Sequence, residues 1–168
     1  MSRIFAFLAA IVAASLMIVA GAMPAEAATS DFRWKSRIVT VVDQVGGYNR
    51  DAIKQAVNEL NREQRALRFR YQTTSCRRGQ KCATVSARTD GMSNWAAKAI
   101  PSEGRSCRIF TNAYWDGVGT RSIKTELGRC IGLRTAPEGV RSLMSRTDPA
   151  PKLTDYDLRD LRSLYRRA

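Results

Sequence analysis

Four cysteines constrain this 168-residue chain more than any other feature, because each disulfide would tie two parts of the backbone together. Four cysteines allow three pairings. Cys76 and Cys82 enclose the short loop R-R-G-Q-K, whose central glycine makes a local bridge easy to close. That bridge would leave Cys107 to pair with Cys130. A zinc knuckle is the alternative use of these thiols, but their spacing is not that of a knuckle.

The N-terminal residues 1–27 have the three parts of a secretory signal peptide. One arginine precedes an uncharged apolar run from Ile4 to Met23, and Ala25-Glu26-Ala27 matches an A-x-A cleavage site. We therefore predict a secreted protein whose residues 28–168 form a single domain. A retained anchor is the alternative, because the apolar run nearly reaches the length of a membrane span. No second run approaches that length, and cysteines of an exported chain are usually oxidised.

The chain is strongly basic: 28 Lys and Arg residues stand against 15 Asp and Glu, which gives a net charge of +13. Such an excess favours contact with anionic surfaces, such as nucleic acid, anionic lipid or an acidic cell wall. The basic residues are spread along the chain, and no RNA- or DNA-binding motif is present. A solvated surface that only keeps the protein soluble is the plainer interpretation of the same charge.

Alternation of apolar and polar residues predicts several strands. The β-branched run R-I-V-T-V-V, residues 37–42, is typical of a buried strand. Further strands are predicted around Phe69, over 82–87 and over 107–111, whereas Thr89 to Gly104 is rich in small and turn residues and no strand is predicted there.

Three helices are predicted between and after these strands. The first is capped by Asn49, and the second runs from about Thr120 to a stop at Gly132. The third is capped by Thr154, with Asp157 as the other half of a capping box. The expected fold is therefore mixed α/β, a twisted mixed sheet of about four to five strands with about three helices.

The predicted helix over 120–132 has two distinct faces, because each residue advances about 100° around its axis. Thr125 and Arg129, four residues apart, share the face that points away from the core, and Glu126 lies beside them. A pair of metal-binding histidines with a general-base glutamate between them needs this geometry. The opposite, buried stripe consists of Ile123, Leu127, Cys130 and Ile131.

The segment T-E-L-G-R-C-I-G-L-R-T, residues 125–135, resembles the H-E-x-x-H-x-x-G-x-x-H signature of the metzincin zinc endopeptidases. The similarity is greatest to small secreted matrixin-like and snapalysin-like members. It places Glu126 at the general-base position, Gly132 where the chain leaves the helix, and Leu143-Met144 at the Met-turn. Residues 153–165 resemble the closing helix of matrixins. The resemblance implies a metzincin-like fold and, in the family, a catalytic zinc ion.

The zinc ligands of that signature are missing here. The three histidine positions hold Thr125, Arg129 and Thr135, and the chain contains no histidine. Snapalysin-like members use an aspartate as the third ligand, and Thr135 does not supply that either. Threonine is a poor zinc ligand, and the guanidinium of arginine stays protonated and repels a cation. Because a catalytic zinc needs about three protein ligands, no metal or other cofactor is expected, and Glu126 is expected to be a vestigial general base.

These residues lead to three functional hypotheses. The first is a secreted metallopeptidase homologue that has lost catalysis and acts by binding, with a peptide or protein in the old cleft. The second is a basic exported protein that binds an anionic cell-surface polymer or nucleic acid. The third is a residual peptide hydrolase that uses Glu126 without zinc. For Glu126 itself, a surface glutamate paired with Arg129 at i+3 is the plainer interpretation.

Overall fold

The computed structural model describes residues 33–34, 36–91, 94–102, 106–114 and 117–166. The predicted signal peptide lies outside these residues. Within them, no helix combines the length and the apolar character needed to cross a membrane. The elements, in chain order, are β1 (Ile38–Asp43), α1 (Gly47–Glu63), β2 (Arg68–Gln72), β3 (Cys82–Arg88), β4 (Ala97–Ser102), β5 (Ser106–Asn112), α2 (Thr120–Cys130) and α3 (Asp155–Tyr165).

The five strands form one mixed sheet in the order β2-β1-β3-β5-β4. The first four of these run parallel, and β4 pairs antiparallel with β5 at the edge. Side chains of a strand alternate between the two faces of a sheet, and one face packs against the helices. The predicted mixed α/β architecture is confirmed. The core joins Val39, Val41, Phe69, Ala83, Val85 and Ile109 from the sheet to Ile53, Leu60, Ile123, Leu127 and Leu161 from the helices.

The edge strand β4 lies within Thr89 to Gly104, where the sequence predicted no strand. The sequence A-K-A-I-P-S contains one β-branched residue and a proline, so its local preference for a strand is weak. Pairing with β5 supplies the strand instead, with Ala99 opposite Ile109. Pro101 is tolerated because an edge strand has one side without ladder hydrogen bonds.

Helix α1 begins at Gly47, so the prediction that Asn49 caps it is wrong. The carboxylate of Asp43, at the end of β1, accepts hydrogen bonds from the backbone N–H groups of Val45 and Gly46 at 2.9 and 3.0 Å. This contact turns the chain into the helix, whose N-cap is Gly46, three residues before the predicted cap. The Asn49 side chain accepts a hydrogen bond from the Val118 N–H at 2.8 Å and thereby holds the segment that leads into α2.

A fully buried lysine, Lys124 of α2, joins α2 to α1 and to the segment before α3. Its Nζ donates to the carboxylates of Glu59 and Glu63 at 2.9 and 2.6 Å and to the carbonyl of Pro151 at 2.9 Å. All three ammonium protons therefore have acceptors, which a buried cation requires. Glu63 also accepts a hydrogen bond from the Leu153 N–H at 3.0 Å, so the network fixes the rotation of α2 about its axis.

The closing helix α3 is fixed at its last turn by the phenol of Tyr165. Its hydroxyl donates to the Ile131 carbonyl at 2.6 Å and accepts from the Trp34 N–H at 3.2 Å. Burial raises the pKa of Tyr165 to about 12, so the hydroxyl keeps the proton that it donates. This bond ties the end of α3 to the residue that follows α2.

Both predicted disulfides are present. Cys76 and Cys82 close the short basic loop between β2 and β3. Cys107 of β5 is bonded to Cys130 of α2, with their Cα atoms 5.5 Å apart. The second bridge therefore attaches α2 to β5, the strand next to the edge strand β4.

The Cys107–Cys130 bridge is expected to contribute more to stability than the Cys76–Cys82 bridge, because it closes the longer loop. Replacing Cys107 and Cys130 together with alanine should lower the free energy of unfolding by about 2–4 kcal/mol, measured by urea denaturation. The matched Cys76→Ala/Cys82→Ala variant should lose less. Peptide mapping without reduction should recover both pairs, and a Cys76–Cys130 linkage would contradict this layout.

Candidate functional site

Helix α2 carries the metzincin-like segment and ends close to where the sequence predicted. Its last residue is Cys130, and Gly132 follows with φ of 94°. Such a left-handed conformation favours glycine. The N–H of Leu133 donates to the Gly128 carbonyl at 3.0 Å and closes the helix. Gly132 is therefore the helix stop that the sequence indicated.

Glu126 is an interior residue, with a relative exposure of 4%. One carboxylate oxygen, Oε2, accepts a hydrogen bond from the backbone N–H of Ala99 in β4 at 2.6 Å. The other, Oε1, accepts a hydrogen bond from the guanidinium of Arg129. The expected pairing with Arg129 is present, but the interpretation of Glu126 as a surface glutamate is wrong.

Arg129 neutralises the buried carboxylate from the partly solvated side of α2. Its side chain is 35% exposed, whereas that of Glu126 is 5% exposed. A carboxylate removed from water requires a positive partner or strong hydrogen-bond donors. Arg129 supplies the first and Ala99 the second. The role of Arg129 here is thus to offset the negative charge of a buried carboxylate.

The hydrogen-bond pattern of β4 explains why the Ala99 N–H is available to Glu126. The Asn112 N–H donates to the Ala96 carbonyl at 2.9 Å, so these two residues form a hydrogen-bonded pair. Hydrogen-bonded and non-hydrogen-bonded pairs alternate along an antiparallel ladder. The backbone groups of Ala97, Ala99 and Pro101 therefore point away from β5, toward the open edge.

Thr125 and Thr135, which stand at two positions that correspond by resemblance to metzincin zinc ligands, differ in their contacts. The Thr125 hydroxyl is within hydrogen-bonding distance of the carbonyls of Arg121 and Leu143, at 3.0 and 3.3 Å. Thr135 is exposed and, among the described residues, forms no hydrogen bond with Thr125 or Arg129. The structure therefore brings Arg129 to Glu126 and Thr125 to the Leu143 turn.

The turn at Leu143-Met144 packs against α2. Met144 is buried, and its Sδ lies 2.8 Å from the position that a Cβ atom on Gly128 would occupy. A side chain at position 128 would force Met144 to move. This close contact explains why a glycine stands at position 128 of the helix.

The same turn is held from below by Asp157 of α3. Its carboxylate accepts hydrogen bonds from the Ser142 hydroxyl at 2.5 Å and from the Leu143 N–H at 3.0 Å. It also accepts from the Thr154 N–H at 2.9 Å, which completes the predicted capping box. One carboxylate therefore begins α3 and positions the turn under α2.

Zinc does not fit the residues present at this site. The Thr125 hydroxyl is engaged with backbone carbonyls, Arg129 carries a positive charge, and both oxygens of Glu126 hold donors. Within the described ranges, no three His, Cys, Asp or Glu side chains are grouped as a metal site would require. Arg129 and the Ala99 N–H stabilise the buried Glu126 carboxylate, and β4 lies at the edge of the sheet. These described residues do not form a set of ligands for a metal ion.

Two features of the site were missed by the sequence reasoning. The first is the β4 edge, for which the sequence offered only Pro101 as a sign of an edge strand. The second is Lys124, whose burial was hidden because a lysine within a helix is usually solvated.

No protein-family model and no curated protein matches this chain. Among solved structures, the chain is similar to high choriolytic enzyme 1, a hatching-enzyme zinc protease from the medaka fish Oryzias latipes. The two are 13% identical, with a TM-score of 0.52 over 80% of this chain and 94% of that chain. At this identity the similarity concerns the fold alone, and it confirms the metallopeptidase-like, metzincin-like architecture.

Restoring the three histidines should create a zinc site beside Glu126 if α2 has the register of the metzincin helix. We expect the variant with Thr125→His, Arg129→His and Thr135→His to bind one zinc ion at least about tenfold more tightly than the variant with only the first two changes, because a third ligand completes the site. Isothermal titration with zinc measures this. A triple variant that binds no better than the parent chain would contradict the register.

Proposed function

We propose that this chain is a secreted, matrixin-like pseudopeptidase that binds extended peptide segments along the β4 edge and does not cleave them by the zinc route. The contact of Glu126 with Arg129 and Ala99 carries this proposal, because it fills the place of a catalytic centre with an internal ion pair. The two disulfides and the signal-like N-terminus support secretion. The metzincin-like fold supports descent from a peptidase.

The β4 edge supports binding by strand addition. An extended peptide can form main-chain hydrogen bonds to the exposed edge of a sheet, and pockets for alternate side chains then give selectivity. The N–H and C=O of Ala97 and the carbonyls of Ala99 and Pro101 point outward. The Ala99 N–H is engaged with Glu126, so a peptide would pair mainly on either side of it.

Hydrolysis by Glu126 alone is the weaker candidate. A general base must be within hydrogen-bonding reach of the proton that it removes. Both oxygens of Glu126 already accept hydrogen bonds, so an attacking water would have to displace the Ala99 N–H or the Arg129 guanidinium. The Arg129 guanidinium could stabilise the negative charge that develops on a peptide carbonyl, but its own charge is already offset by the Glu126 carboxylate.

Backbone amide shifts in NMR spectra provide the test for peptide binding. An uncharged, capped decapeptide of alternating valine and serine should shift the Ala97 amide and its β4 neighbours in a saturable way that is insensitive to salt. The matched control peptide carries N-methyl groups at alternate residues, which removes its main-chain donors. It should bind at least about fivefold more weakly, since each lost hydrogen bond contributes roughly 1 kcal/mol.

Two results would contradict the proposal. One is the absence of shifts in β4 at millimolar peptide. The other is cleavage of the peptide that is lost on Glu126→Gln, which would instead support the residual hydrolase.

A further inference from the structure

A long segment of this chain contains basic residues and no acidic residue. From Gln64 to Thr89 there are seven Lys and Arg and no Asp or Glu. This segment forms β2, the Cys76–Cys82 loop and β3. Positive charge is therefore concentrated in these two strands and their loop, even though basic residues occur along the whole sequence.

Strand alternation places several of these cations on the face of the sheet that is turned away from the helices. Val85 and Ile109 belong to the core, so Arg88 of β3 and Arg108 of β5, at odd spacing from them, project from the other face. Lys98 of β4 does so as well, because it lies directly opposite Phe110, which shares the face of Arg108. All three cationic side chains are exposed.

Phe110 lies between the two arginines of this face. The guanidinium carbons of Arg88 and Arg108 are each 5.8 Å from the centroid of its ring. Both distances lie within the range of about 6 Å over which a cation is attracted to the face of an aromatic ring. The ring therefore acts as a spacer that orders two cationic groups.

The Cys76–Cys82 loop extends the same surface. Its Gln80 side chain donates to the Thr40 hydroxyl at 3.0 Å, and Thr40 lies on the face away from the core because Val39 and Val41 point into it. The loop is thus anchored over this side of the sheet. The exposed Arg77 and Arg78 of the loop add two charges to it.

Few carboxylates neutralise this surface. Asp90 forms an ion pair with Arg88 at 2.8 Å. Within the described ranges, Lys98, Arg108 and the two loop arginines form no ion pair with an acidic side chain. We define the basic sheet face as Arg77, Arg78, Arg88, Lys98, Arg108 and Phe110.

We propose that the basic sheet face binds a linear anionic polysaccharide. The positive charge favours a polyanion as the ligand. The shape of the face indicates that this polyanion is a flexible chain. Adjacent strands of a sheet are rotated by about 20–25° relative to one another, so cations on the loop and on β4 cannot lie flat on a membrane together. A flexible polymer can follow the twist.

Single-stranded nucleic acid fits this face less well than a polysaccharide. Proteins that bind it stack bases on aromatic rings. On the basic sheet face the ring of Phe110 already contacts Arg88 and Arg108, so a base would have to displace a guanidinium. The disulfides also favour a compartment outside the cell, where anionic polysaccharides are abundant and nucleic acid is not a general partner.

Fluorescence anisotropy with a labelled heparin oligosaccharide tests the proposal on the full chain. The Lys98→Gln/Arg108→Gln variant should bind at least about tenfold more weakly at low salt. The slope of log K against log salt should fall by about 1.5, because each lost cation releases roughly 0.7–0.9 fewer counterions. The matched control, Arg62→Gln/Arg162→Gln, removes two exposed charges from α1 and α3 and should change binding by less than about twofold.

Each alternative gives a distinct result that would overturn the proposal. An equal loss of affinity in the control variant would show that net charge alone is responsible. Tighter binding of oligo-dT with the same number of charges would assign the face to nucleic acid. Binding confined to vesicles of anionic phospholipid would assign it to a membrane surface. Because this binding should be steeply salt-dependent and should not need the main-chain groups of the β4 edge, its failure leaves the peptide proposal standing.

Discussion

The buried carboxylate of Glu126 determines how α2 and the edge strand β4 pack against each other at the candidate site. Glu126 is removed from water, and its ionised form would be strongly disfavoured there without compensation. Arg129 and the Ala99 N–H provide that compensation. Because one donor comes from α2 and the other from β4, the same contact that satisfies the carboxylate also fixes the distance between the helix and the edge strand.

The remaining contacts of α2 explain how a metallopeptidase-like scaffold keeps its shape with residues that do not suit a metal. Lys124 fixes its rotation through Glu59 and Glu63, and the bridge from Cys130 attaches its end to β5. Met144 packs against the helix at Gly128. Each of these contacts is made by residues other than Thr125, Arg129 and Thr135, so the position of the helix does not depend on those three residues alone.

The sequence was sufficient to predict the features that depend on local pattern. The buried strand β1, the helix stop at Gly132, the capping box at Thr154 and both disulfides were predicted, since each is encoded by a few neighbouring residues or by cysteine spacing. Strand β4 was not, because its stability comes from pairing with β5 and not from its own residues. The burial of Glu126 was missed for a related reason. A helical wheel gives directions about one axis, and it does not show that an edge strand covers the polar side.

The coupling free energy between Glu126 and Arg129 tests the central claim, that the guanidinium takes the role of a positive charge beside the buried carboxylate. It is obtained from a double-mutant cycle of Glu126→Gln, Arg129→Met and the double variant, by urea unfolding at one neutral pH. We predict a coupling above about 1 kcal/mol, with the double variant more stable than Arg129→Met alone, because removing both charges leaves no uncompensated carboxylate. A coupling below about 0.5 kcal/mol, the range of solvated surface pairs, would contradict the account.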